Sequence, residues 1–460
     1  MRLKGLFFIL CLLPLLSEAQ NNYTLEECIA YALKNNEQLK IKALEKEIAK
    51  GTIGETRATG LPQVNASAGF QDNITIQTSF IQDFISPATY AILFDENLLP
   101  ERDLGPPASF PAQFGTPVTG NAGFSVSQLV FNGSYFVGLQ AAKALKDLTD
   151  KEYVKTEIDV IDAVSKAYYL VLVSRENLEL IGRNYERIKT LYDETSLMQQ
   201  NGFAEKIDIS RLKIQLNNLK TSLSSSSEML KVSLAALKLQ MGMPFAEPFD
   251  TDETLRDVTA DLEQFPIESV NPANRIEYNI LQENRNLALL DIKNNKVQYL
   301  PNINANFNLG WTSGVNQFGD LFNFNNQTWF RYANWGLTLN IPIFDGLSKK
   351  YRIDQAKATL SQVEFGISQL ENSFNVEELN ARTALKNAIA DYKSQKENME
   401  LAEEVFNVTD IKFKEGIGSN IDRIDADIVW KTAQTNYFNA LYNALVAKID
   451  LEKTLGILKQ

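Results

Sequence analysis

"LPNINANFNLGW", residues 300–311, alternates without a break: Ile303, Ala305, Phe307, Leu309 and Trp311 take every second place, with Asn304, Asn306, Asn308 and Gly310 between them. A period of two belongs to an extended strand with one apolar and one polar face. The pattern has a precedent upstream in "LPQVNASAGF" (61–70), where Val64, Ala66, Ala68 and Phe70 alternate with Asn65, Ser67 and Gly69. That pair is offset by 239 residues. "GFSVSQLVFNG" (123–133) matches "GLTLNIPIFDG" (336–346) at an offset of 213, "NGFAEKID" (201–208) matches "EGIGSNID" (415–422), and Gly242 matches Gly456, the last two at 214. The order is the same throughout, so the chain reads as a duplication. The single drop in offset, 26 residues, marks a longer loop in the first half, placed at 87–117, where six of the fourteen prolines crowd.

Each half opens on a helical segment (Leu25 to about Thr59; Arg275 to Tyr299) that ends at Leu-Pro, and continues through a strand-like region into a long helical pair broken once by glycine. Leu178, Ile181, Tyr185, Ile188 and Tyr192, and again Leu360, Val363, Ile367, Leu370 and Phe374, step by threes and fours, an apolar stripe of the heptad kind. No proline falls between Pro117 and Pro244 or after Pro342, as long helices require when one internal proline costs roughly 3 kcal/mol. From Ser134 to Gln200 a helix rising ~1.5 Å per residue would reach about 100 Å. It needs helical neighbours along its length. The expected organisation is a signal segment at 1–19, a first repeat over 20–243, a Pro-punctuated linker over 244–272 that forms a collar, and a second repeat over 273–460.

Arg2 and Lys4, then an apolar run from Leu6 to Leu16, then Ser17-Glu18-Ala19 form a secretory signal with cleavage expected after Ala19. The run is shorter than the ~20 apolar residues of a spanning helix. Cys11 leaves with it, so Cys28 is alone and no intrachain disulfide is expected. Neither cysteine follows the small residue of a lipidation signal, so no lipid anchor is expected. Histidine is absent, which removes the commonest general base and transition-metal ligand. The formal charge of −12 disfavours nucleic acid as a partner.

Small polar residues on one strand face and apolar ones on the other suit a transmembrane strand with water inside and lipid outside, at ~9–11 residues per crossing. Phe318, Phe322, Phe324, Trp329, Phe330, Tyr332 and Trp335 gather near the strand ends, as an interfacial girdle would. A soluble half-buried hairpin gives the same alternation; the secretion signal and the Asn/Gly-rich face favour a barrel. Two hairpins give four strands per chain, which cannot close, and hydrocarbon does not tolerate an open edge. Copies must then share the barrel: eight strands are filled by side chains, whereas twelve leave a lumen. A trimer is the smallest assembly that conducts, and the residues read as a mixed α and β membrane protein in which copies share a β-barrel and each chain adds long helical pairs.

Over nearly its whole mature length the chain resembles the TolC-like outer-membrane efflux proteins. The resemblance rests on the signal, the duplicated helix–hairpin–helix-pair plan, "LP" at both strand starts, "PIFDG" at 342–346, and a glycine-broken helix tip followed by "IDRIDA". It implies a trimeric 12-stranded transmembrane β-barrel, four strands per chain, continued by a long antiparallel α-helical coiled-coil tunnel: a homotrimer in the outer membrane with a periplasmic extension, working with a periplasmic adaptor and an inner-membrane transporter. It also implies that Asp422 and Asp425, which match the family's aspartate rings, line a channel constriction; they lie three apart on one helix face. Both also suit helix-start acids favoured by the dipole or an exposed acidic face. Asp208 is the matching tip acid of the first repeat, while Asp427 points to another face and reads as ordinary. Arg423 is expected to pair with a neighbouring helix. Gly202, Gly416 and Gly418 read as the tip turns where an adaptor would dock. The family's closed-state latch uses a Tyr and an Arg; Phe413 and Gly418 stand at those places, so that latch is not carried over.

Catalysis is not expected. "GFSVS" (123–127) resembles a nucleophile elbow but lacks its final glycine, and no histidine exists to serve as base. Asp422, Asp425 and Asp427 lack the spacing of a calcium loop, so neither metal nor cofactor is expected. Two readings stand beside the efflux duct: the outer component of type I protein secretion, and a secreted coiled-coil scaffold without a channel.

Overall fold

The computed structural model describes residues 22–255, 258, 269–323 and 328–458. The signal segment 1–19, most of the linker beyond Leu255, and Phe324 lie outside the described residues. The chain forms two units, one of residues 51–143 and 289–357, the other of the rest.

The first unit holds the sheet. Strands β2 (Gln63–Asp72), β5 (Val118–Phe131), β7 (Asn302–Val315) and β8 (Trp329–Asn340) pair antiparallel in the order β2-β5-β7-β8. Paired residues share a face, so the register sorts the alternation into two surfaces. Val64, Val126, Phe307 and Trp335 form one row across the sheet, and Ala66, Phe124, Leu309 and Ala333 the next. The opposite face carries the row Asn65, Ser125, Asn308 and Asn334, in which Asn308 Nδ2 donates to Asn334 Oδ1 at 2.9 Å, followed by Ser67, Gly123, Gly310 and Tyr332. A bulge between Leu129 and Phe131 returns Phe131 to the apolar face opposite Ile303. Strands β2 and β8 are edges, each paired on one side only.

One expectation is corrected here. The connection between β2 and β5 is longer than 87–117 and not a bare loop: it holds a second hairpin of β3 (Thr78–Gln82) and β4 (Ser109–Gln113), with α3 (Ile85–Asp95) between them. Pro87 sits in the first turn of α3, where its missing N–H is no loss. Strand β8 stops at Asn340, so Ile341, Pro342 and Ile343 lie beyond it and proline costs no ladder bond.

The second unit is helical. Thr24 caps α1 (Leu25–Asn35), and the single helix expected to follow is split at Asn36, whose Oδ1 accepts from the N–H groups of Gln38 and Leu39 to start α2 (Glu37–Ala58). A short parallel pair joins β1 (Asn22–Tyr23) to β6 (Asp250–Thr251) within the linker. The long pairs are α4 (Gly133–Gln200) with α5 (Lys206–Met241), and α7 (Ser348–Lys414) with α8 (Asn420–Leu455); α6 is Ile276–Val297. The main core joins Val164, Tyr168 and Leu172 of α4 to Leu237 and Met241 of α5 and to Leu441 and Leu445 of α8. Cys28 is buried in it, and burial pushes its thiol up to about 12, which leaves it inert as a nucleophile. Nearer the tip the heptad stripe closes as expected, with Ile188 and Leu191 against Leu212, Leu216 and Leu219. Helices α4 and α8 run antiparallel: Lys166 bonds Asp450 at 2.5 Å, and Asp162 bonds Lys453 at 3.0 Å.

All four long helices end on a left-handed glycine (Gly202, Gly242, Gly416, Gly456), and the next N–H reaches back five residues to a carbonyl, as from Phe203 to Met198 and from Ile417 to Lys412. Gly242 has two reasons to be glycine, since its φ is +68° and a Cβ would lie 2.6 Å from the Asn35 carbonyl oxygen. Gly242→Ala should therefore destabilise the helical unit by about 2 kcal/mol or more. Gly366→Ala, at an open place in α7, should stabilise by roughly 0.5–1 kcal/mol. Thermal unfolding of the two variants in the same detergent checks the contrast; equal shifts would mean that the joint between Gly242 and Asn35 is slack.

Candidate functional site

The tips of the two helix pairs are built alike. Gly202 and Gly416, at φ +83° and +76°, end α4 and α8's partner α7, and five residues separate each long helix from the next. Gly418 is glycine for a different reason: its backbone is ordinary, but a Cβ would stand 2.8 Å from the Phe413 nitrogen. Ser419 then caps α8 by accepting from the Ile421 N–H at 3.1 Å. Asp422 and Asp208 occupy the same place, the third residue of α8 and of α5.

Asp422 and Asp425 are both exposed, and neither forms an ion pair among the described residues. They project from the first two turns of α8 on one side. Arg423, between them in sequence, points the other way. It is 7 % exposed, pairs with Asp410 of α7 as its position suggested, and lays its guanidinium 5.1 Å from the Phe413 ring. Phe413 thus serves as a platform within its own chain.

Asp427 is the residue that sequence reasoning passed over. It does face away from Asp422 and Asp425, but it is not ordinary: at 1 % exposure it lies fully buried and gathers partners from three helices. Arg187 of α4 and Lys431 of α8 both ion-pair with it, and Gln215 of α5 donates Nε2–H to its Oδ2 at 2.7 Å. The Arg187 guanidinium sits 4.3 Å from the ring of Phe406 on α7 and 4.5 Å from Trp430, two rings that stack at 5.1 Å. Burial holds the Arg187 and Lys431 cations below their usual ranges against the pull of Asp427. One turn further from the tip, Asn184 donates to Gln434 at 3.3 Å, both amides buried. A polar seam therefore runs between the helix pairs at their distal end, where further along the same helices Tyr168 and Leu441 make an apolar core. A signal for it exists in the sequence. Followed towards the tip, the buried stripe of Leu445, Leu441 and Gln434 arrives at Asp427 and Arg423. A carboxylate on such a stripe has to find cations.

Such a site can hold helices together and present charge. A sequence model described as "Outer membrane efflux protein" matches residues 28–243 and 281–457. The outer membrane protein TolC of Vibrio cholerae is 21 % identical over 98 % of this chain and 95 % of its own length. A probable efflux pump outer membrane protein, TtgC of Pseudomonas putida, is 20 % identical over 65 % of this chain and 61 % of its own. Among solved structures, the Campylobacter jejuni CmeC outer membrane channel superposes with a TM-score of 0.69 at 17 % identity, over 95 % of this chain and 86 % of that one, which shows a common fold.

Proposed function

The chain belongs to the outer membrane efflux protein family, and from that premise we propose how it acts as the outer-membrane duct of a tripartite efflux system. The duct is a passive conduit that receives small molecules from an inner-membrane transporter through a periplasmic adaptor. The observation that carries the reading is the two-faced, open-edged sheet. One face is apolar, the other is lined with Asn, Ser and Gly, and the β2 and β8 edges keep unpaired backbone groups that lipid cannot satisfy. Joining β8 of one copy to β2 of the next removes both edges. Three copies of a four-stranded sheet close twelve strands around a water-filled lumen.

Three-fold symmetry would stack Asp422 and Asp425 into two rings at the periplasmic end of the helices, a constriction that favours cations and repels anions. Asp208 adds an acid from the first repeat. The tip turns at Gly202, Gly416 and Gly418, the first two exposed, are where the adaptor docks. The reading is tested by purifying the full chain in detergent and measuring current across planar bilayers. Small, cation-selective conductance steps are expected. A chain that stays soluble without detergent and passes no current would instead be a scaffold.

A further inference from the structure

The four strands of the sheet carry two charged residues, Asp72 and Arg331; every other residue along them is neutral. Both sit on edge strands, Asp72 at the last place of β2 and Arg331 at the third of β8, towards the end of the sheet away from the long helices. Both also stand on the apolar face. Asp72 begins the row that runs through Val118 and Val315, and Arg331 ends the row of Ala68, Ala122 and Trp311. Each is exposed, and neither forms an ion pair among the described residues. Within one chain β5 and β7 lie between them. Opposite charges on the two open edges, on one face, are complementary as soon as those edges meet.

Few registers are open to such a joint. It has to keep the apolar face continuous, and a slip by one residue turns every side chain of a strand to the wrong side. Odd-numbered residues of β8 therefore oppose even-numbered residues of β2. The register that sets Asn340 opposite Gln63 of the next copy matches all of β2 to residues 331–340 of β8. It places Arg331 directly opposite Asp72. It also sets large rings against small side chains, Phe70 opposite Ala333 and Trp335 opposite Ala68; in a single copy the two rings are 63 % and 78 % exposed. A shift of two residues in either direction makes the charged pair diagonal, and one of those shifts brings Phe70 up against Trp335.

We infer that Arg331 of one copy pairs with Asp72 of the next across the joint of β8 and β2, and that this pair fixes the register in which the barrel closes. The inference rests on the closed-barrel reading above and adds to it what selects the joint. Backbone pairing is indifferent to a slip of two residues, so side chains have to tell such registers apart. A charge on a lipid-facing strand is tolerated near the rim and grows costly towards the middle of the bilayer. Where lipid lowers the dielectric, an unpaired carboxylate or guanidinium is penalised and a matched pair attracts more strongly than in water. A slipped joint would forfeit that match in every copy.

The experiment uses the full chain, purified in detergent, and reads its assembly on SDS gels. With Asp72→Cys and Arg331→Cys combined, mild oxidation should link neighbouring copies into disulfide-bonded pairs and triples, while neither single variant links. Directly opposite residues have Cβ atoms about 4.5–5.5 Å apart, whereas diagonal neighbours lie about 7–8 Å apart, beyond the reach of a disulfide. Asp72→Arg and Arg331→Asp should each shorten the lifetime of the trimer in SDS at least about tenfold, because like charges then meet in every joint. The swapped double variant should return to within about threefold of wild type. A trimer indifferent to both reversals would overturn the inference. So would reversals that the swap does not rescue, which would assign Arg331 to a lipid phosphate. Rescue without cross-linking would overturn the register and leave the pair diagonal. A wild-type chain that never assembles would overturn the closed barrel as well, so failure of that reading is told apart from failure of this joint.

Discussion

Replacing Asp427 with alanine is expected to release the distal ends of the helix pairs from one another at a cost of about 3 kcal/mol. The figure follows from what remains rather than from what is lost. Arg187 keeps 28 % and Lys431 18 % side-chain exposure, so both cations would stay partly desolvated with no carboxylate between them. That places the cost at the lower end of the range for breaking a fully buried pair. Gln215 would also lose its 2.7 Å acceptor. Asp427→Asn should be milder, because the amide oxygen can still accept from Gln215 and Arg187. Hydrogen exchange on the intact protein reads the effect locally. Peptides over 184–191, 212–219 and 424–434 should exchange tens of times faster in Asp427→Ala, while peptides around Tyr168 and Leu441, in the apolar core, keep their protection. Unchanged protection at the tip would mean that contact of Arg187 with the stacked pair of Phe406 and Trp430 suffices to hold the helices, and that the carboxylate is incidental.

The seam also shows what can and cannot be read from the chain alone. The alternation in "NINANFNL" was legible because strand geometry converts a period of two directly into two faces, and the ladder to β5 and β8 only carries those faces sideways. The long helices were legible from the absence of proline and the heptad stripe, and the four glycine ends from the repeat. Three features were not. Asn36 breaks a continuous helical pattern because its side chain caps the second helix and its Nδ2 donates to Gln240, 204 residues away, a tertiary bond without a local trace. The β3–α3–β4 insertion has strands of five residues and a helix with proline in its first turn, which together read as loop. Asp427 looked ordinary because it points away from the face that carries Asp422 and Asp425, and nothing adjacent in sequence supplies both of its cations. Only the neighbours Arg187 and Gln215, from a distant part of the chain, make it buried. Asp422 and Asp425 were singled out by position and resemblance, and their role in a constriction is part of the proposal. Their exposure suits the assigned role, and the rings themselves depend on copies not present in one chain.

Removing those two charges should produce the opposite pattern to Asp427. Asp422 and Asp425 are exposed and unpaired among the described residues, so Asp422→Ala with Asp425→Ala should change stability by no more than about 0.5 kcal/mol and leave exchange at the seam unaltered. Conduction should change markedly. In a trimer six carboxylates would crowd one narrow place, where like charges reinforce one another's field and hold cations in the pore. Without them, single-channel conductance should rise roughly two- to fivefold and the preference for cations over anions should fall towards unity. The double asparagine variant separates charge from girth. It keeps the side-chain volume and removes the field, so it should lose selectivity as fully as the alanine pair while opening the pore less. If selectivity survives in both variants, the constriction lies elsewhere on the helices and the exposed acids of α8 are only a solvated helix start. If the asparagine pair matches wild type while the alanine pair conducts more, the aspartates narrow the pore by size alone.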